Sequence, residues 1–154
     1  MIQLFSILCV VIAAVLGWIV YTNDRNASAN KYYGAFSLTS SFWLFCNLVT
    51  TPGPINFSDE VIQFFGSLIS ISSVASLILL TYFSYNFISR KLSLAFRIYF
   101  IFQIIFLSTI SFTSLNVSAT NGDITVGALY PLVVFFQVTN FVIILLPLYS
   151  AKNE

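Results

Sequence analysis

Five long apolar runs, separated by short polar gaps that hold almost every charge, restrict this chain to folds that lipid can solvate. The net sign alternates from gap to gap. Asp24, Arg25 and Lys31 lie in the first gap, and Asp59 and Glu60 in the second. Arg90 and Lys91 lie in the third, with Arg97 just beyond it. Asp123 lies in the fourth, and Lys152 and Glu154 in the tail. Only 7% of the residues are charged, against roughly 25% in soluble domains. With 58% hydrophobic residues, there is too little polar surface to cover a water-soluble globule. A net charge of +1 offers no basic face for nucleic acid.

A helix crosses the hydrocarbon core with about 20 apolar residues. The runs at about 2–21, 34–49, 61–87, 94–115 and 124–149 meet or approach that length. Barrel strands span only about 10 residues and alternate in polarity. The expected fold is therefore an all-α integral membrane protein, a five-helix transmembrane bundle forming one domain over 1–154. Thr51-Pro52-Gly53-Pro54 breaks the chain, and Ser58 with Asp59 and Glu60 predicts an N-cap and an acidic first turn. Asn121-Gly122-Asp123 predicts a turn directly before the fifth helix. Lys and Arg occupy only the first gap, the third gap and the tail. The positive-inside rule then places the N-terminus outside and the C-terminus in the cytoplasm, giving a multi-pass protein of the cell membrane. Ala27-Ser28-Ala29 resembles a signal-peptide cleavage site, but Met1-Ile2-Gln3 lacks the basic n-region, which favours an uncleaved anchor.

The same pattern limits the chemistry. No acid or base falls at the middle of a run, which argues against proton relays and ion pathways. Histidine is absent, and Cys9 and Cys46 lie within apolar runs, where thiols pack as small hydrophobes. No metal-ligand spacing, phosphate-binding glycine loop or nucleophile elbow is present. No catalytic residue, metal or cofactor is expected, and an enzyme is disfavoured. Arg97 is expected to snorkel to the interface.

The polar residues within runs carry more information. Asn47, Gln63, Gln103, Gln137 and Asn140 must face the bundle, where interhelical hydrogen bonds are the ordinary outcome. Gly66, Ser67, Ser70, Ser72, Ser73, Ala75 and Ser76 make the third helix a close-packing, central element. Pro131 is expected to bend the outer part of the fifth helix, and Pro147 lies near its inner end. The Asn-x-Ser triplets at Asn26, Asn56 and Asn116 are weak glycosylation signals. Trp43 falls mid-span, away from the interface that tryptophan usually marks. The candidate ligand-binding or coupling residues are Trp43, Asn47, Tyr130, Pro131, Gln137 and Asn140.

Asn30-Lys31-Tyr32-Tyr33-Gly34-Ala35-Phe36-Ser37-Leu38-Thr39-Ser40-Ser41-Phe42-Trp43 and Gly127-Ala128-Leu129-Tyr130-Pro131-Leu132 add a family likeness. Both segments resemble the N-terminal seven-helix membrane region of histidine kinases, over its first five helices. That family often carries a further Asn where Ala27 stands here, and it continues through two more helices into a soluble transmitter. The sequence ends at Glu154, as an isolated input module or a piece of a longer sensor would. The resemblance implies a sensory module that passes a ligand or membrane signal to a cytoplasmic signalling domain or protein, with a homodimer as a possible assembly. A small integral membrane subunit of a larger complex, and a facilitator of a small neutral solute, are the alternatives.

Overall fold

The structure, a computed structural model, describes residues 2–51, 57–113, 115–121 and 123–151. Five helices form: α1 (Ile2–Asn23), α2 (Ser28–Thr50), α3 (Asp59–Phe87), α4 (Leu94–Ile110) and α5 (Tyr130–Ala151). A two-stranded antiparallel hairpin, β1 (Val117–Thr120) and β2 (Asp123–Val126), separates α4 from α5. Among the described residues, three helical stretches are long and apolar enough to cross a membrane: Phe5–Asn23, Asp59–Phe87 and Tyr130–Pro147. The apolar α4 is shorter, at 17 residues. The expected break at Pro52-Gly53-Pro54 lies outside the described residues, as do Asn56, Lys152 and Glu154.

Each boundary has a local cause. Ser58 accepts from the Val61 N–H, and Asp59 and Glu60 occupy the first turn of α3, where the helix dipole favours anions. Ser93 caps α4 in the same way through the Phe96 N–H. The end of α3 is a Schellman turn. Arg90 N–H bonds to the Tyr85 carbonyl at 2.9 Å and Ser89 N–H to the Asn86 carbonyl at 3.0 Å. Ser89 takes the left-handed position with φ 56°.

The helices run up and down. Tyr32 stacks on Tyr82 at one end of the α2–α3 pair, and Phe45 meets Phe65 toward the other. Arg25, Lys31, Arg90, Lys91 and Arg97 therefore share one end with Asp24, whereas Asp59 and Glu60 lie at the opposite end. α3 is central and touches α2, α4, α5 and both strands. Val74, Ile78, Phe100, Leu107, Val133, Phe136 and Ile143 form the apolar core around it.

Two expectations need correction at the acidic end of the bundle. The fourth and fifth helices were expected over about 94–115 and 124–149, but α4 stops at Ile110 and α5 starts at Tyr130. Residues between them reverse direction and lay the hairpin along α3. Asn116 Nδ2 bonds to Ser70 Oγ at 3.0 Å, and Asn121 N–H bonds to Asp59 Oδ2 at 3.0 Å. By the helical rise, those two anchor points are about 16 Å apart along α3. Val117 and Ile124 pack against Gly66, where an added Cβ would lie 3.1 Å from Val117. Pro131 consequently sits in the first turn of α5, where its missing N–H has no intrahelical acceptor to lose, and causes no mid-helix bend.

α1 attaches through close backbone approach. A Cβ at Gly17 would stand 2.5 Å from Ser37 Cβ, and the Ser37 hydroxyl donates to the Ala13 carbonyl. Gly17→Ala should force α1 off α2 and cost about 1–3 kcal/mol, read as a lower unfolding temperature in nanodiscs. Adding Ser37→Gly to that variant removes the clash and should restore part of the loss. No recovery would mean that the Gly17–Ser37 contact does not set the helix spacing.

Candidate functional site

The middle of α3 meets α2 and α5 around a groove of about 580 Å3. Helical spacing builds its three walls. Phe36, Ser40, Trp43 and Leu44 lie on one stripe of α2, and Ser73, Ser76, Leu77 and Leu80 on one stripe of α3. Gln137, Val138, Phe141 and Val142 complete it from α5. The volume lies within the usual range for small-molecule sites, and a mainly apolar wall with few polar groups is their usual composition.

Those polar groups are neutral. Gln137 Nε2 donates to Ser73 Oγ at 2.8 Å, and Ser73 Oγ donates onward to the Ser70 carbonyl at 3.0 Å. Ser76 Oγ donates to the Ser72 carbonyl at 2.8 Å. The Trp43 Nε1–H is buried without a hydrogen-bond partner among the described residues. An indole N–H shielded from water in this way costs roughly 1–3 kcal/mol until an acceptor reaches it.

The candidate residues from the sequence separate into four places. Trp43 and Gln137 line the groove together. Asn47 lies one turn beyond Trp43 on α2 and donates to the Trp43 carbonyl at 2.8 Å, which holds it within its own helix. Asn140 is fully buried and turns from the groove toward α4, where it exchanges two hydrogen bonds with Gln103, at 3.0 and 3.2 Å. Tyr130 and Pro131 open α5 beside the hairpin and do not line the groove. The wall residues Phe36, Ser40, Ser73, Ser76 and Phe141 were not candidates. Each has helical spacing from a neighbour in the groove, but spacing alone does not tell which helices meet.

Among the described residues, no group of three His, Cys, Asp or Glu side chains comes together to hold a metal ion. Cys9 and Cys46 are unpaired thiols, and Cys46 is fully buried. Asn116 is fully buried as well, so its side chain is closed to glycosylation in this fold. No protein family, curated protein or solved structure matches the chain.

The Gln103–Asn140 pair ties α4 to α5, with Tyr99 one turn before Gln103 and Phe106 one turn after it, and both rings pack edge-on against Phe136. Gln103→Leu or Asn140→Leu alone strands one buried amide and should cost about 1–2 kcal/mol. The double variant should be more stable than the sum of the single losses, because both polar groups leave together. Chemical unfolding of all four proteins measures this coupling, and strict additivity would dissolve the pair as a unit.

Proposed function

We propose that this chain is a membrane-embedded sensory or input module. In this reading all five helices lie in the bilayer, with the N-terminus outside and the basic end of the bundle in the cytoplasm. An apolar ligand with one hydrogen-bonding head occupies the groove between α2, α3 and α5. Its binding shifts α5 and is relayed to a cytoplasmic partner, as the resemblance to the membrane regions of histidine kinases implies. No chemical step is assigned to the chain.

The observation that carries the proposal is that α5 takes part in both halves of the task. It supplies Gln137 to the groove and then runs to the basic end, with Pro147 inside its last turns. Pro147 has no N–H for the carbonyl one turn earlier, so the segment beyond it is held less firmly. Trp43 and Gln137 provide differential contacts: a ligand acceptor satisfies the indole N–H, and a ligand head competes for the Gln137 bond to Ser73. A conformational shift requires such a difference in interaction between two states. Charge sorting supports the orientation, since the basic side chains of the described residues share one end.

Two measurements test the reading in nanodiscs. Trp18→Phe leaves Trp43 as the only tryptophan, and a brominated decanamide should quench its fluorescence saturably. Spin labels at Phe87→Cys and Tyr149→Cys, both strongly exposed, should then report a changed distance across the basic end, with Cys9 and Cys46 replaced by Ala. Gln137→Leu loses one neutral hydrogen bond, worth about 1 kcal/mol or less. It should stay folded and lose the distance change. Saturable quenching with an unchanged distance would reject the relay.

A further inference from the structure

A second cavity, of about 340 Å3, lies at the basic end, remote from the groove on α2 and α5. Its lining includes Tyr32, Tyr82, Asn86, Arg90, Lys91 and Arg97, and no acidic side chain. The Schellman turn at the end of α3 folds Arg90 and Lys91 back over the helix terminus. Leu92 is buried and pins that turn. Arg97 comes from the first turn of α4 and faces Tyr82 across the cavity. The two helix dipoles here oppose each other, because α3 ends where α4 begins. Side-chain charge therefore sets the local potential, and it is positive.

A third cavity, of about 300 Å3, shares Tyr82 and Arg97 with the second. Its other walls are Ile78, Phe100, Ile101, Ile104 and Ile105, which lead up α3 and α4 into the apolar band. A cationic recess thus adjoins an apolar channel on the outer surface of the bundle. Free phosphate has use for the recess alone. A molecule with a phosphate head and a hydrocarbon chain matches both.

We propose that the cleft of Lys91, Arg97, Tyr82 and Tyr32, continued by the isoleucine channel of α4, is a binding site for an anionic phospholipid. The phosphate lies between Lys91 and Arg97, within reach of the Tyr32 and Tyr82 hydroxyls, and one acyl chain follows Ile101 and Ile105. Arg presents a planar fork of donors to phosphate, and Lys a movable point charge. Lys91 and Arg97 are both exposed, so the attraction is partly screened by salt. The apolar channel supplies the retention that screened charges lack. The site lies where α3 hands over to α4, so a bound lipid also ties those helices together. The proposal requires only that the bundle be in lipid, and it stands apart from any ligand of the α2–α3–α5 groove.

Native mass spectrometry of the full chain, released from detergent, tests it with phosphatidylglycerol and phosphatidylcholine of identical chains. Phosphatidylglycerol should be retained about thirtyfold more strongly, roughly the strength of two basic contacts. Lys91→Gln with Arg97→Gln should abolish that preference, and both side chains are exposed, so folding should persist. Arg25→Gln with Lys31→Gln removes equal charge from the same end outside the cleft and should keep the preference. Ile101→Trp should weaken retention of the lipid by filling the channel. Equal retention of both lipids would overturn the proposal, as would equal losses from the two charge pairs. Displacement of the lipid by millimolar inorganic phosphate would assign the recess to free phosphate instead.

Discussion

The hydroxyl-lined surface of α3 is what the remaining elements depend on. Ser67, Ser70, Ser72, Ser73, Ser76, Thr81 and Ser84 are buried, whereas Phe, Ile and Leu side chains cover the outside of the bundle. In water that arrangement would be inverted. Here it holds because most of these hydroxyls are satisfied within their own helix. Ser67, Ser76, Thr81 and Ser84 each donate to the carbonyl four residues earlier, at 2.8–2.9 Å. A self-bonded serine is a small, nearly neutral surface, and lets neighbouring backbones approach closely without leaving an open polar group. Lipid offers no water to drive apolar surfaces together, so close packing of this kind has to hold the helices.

The hairpin extends the same logic to a non-helical segment. Packed against the bundle, it too keeps its backbone polar groups paired within the protein. β1 and β2 pair with each other, and the Gly127 and Leu129 N–H groups bond at 2.7 Å to the carbonyls of Asn116 and Leu115. Ser70, one of the few hydroxyls that meets another segment, receives the Asn116 amide. The N-terminal half of α3 is thereby covered by strands where a longer α4 was expected. α5 starts at Tyr130 and brings Gln137 to the level of Ser73.

Much of this was legible in the sequence. The capped start of α3, its central position and the inward direction of Gln103, Gln137 and Asn140 follow from small-residue spacing and from the cost of a bare amide in lipid. The hairpin was also signalled, though weakly. Val117-Ser118-Ala119-Thr120 and Asp123-Ile124-Thr125-Val126 flank Asn121-Gly122, a pair favoured in two-residue hairpin turns. High local hydropathy hid it, because an apolar run beside a turn reads equally well as helix. The basic cleft was hidden for another reason. Arg97 by itself looks like a snorkelling side chain, and only the turn after α3 brings Lys91 and Tyr82 beside it.

The sequence by itself determined the solvent of this protein, the number of its helices and the sorting of charge to the helix ends and the turns between them, because these depend on residue type and chain distance alone. The tertiary structure decided which polar residues meet. Gln137 and Asn140 stand three apart on one helix, yet one bonds α3 beside a groove and the other bonds α4 in a closed core. Sequence spacing sets the angle between two side chains, but the neighbouring helix that fills each direction is set by packing. Close approach at Gly17 and Gly66, and the return of the hairpin along α3, settle that packing.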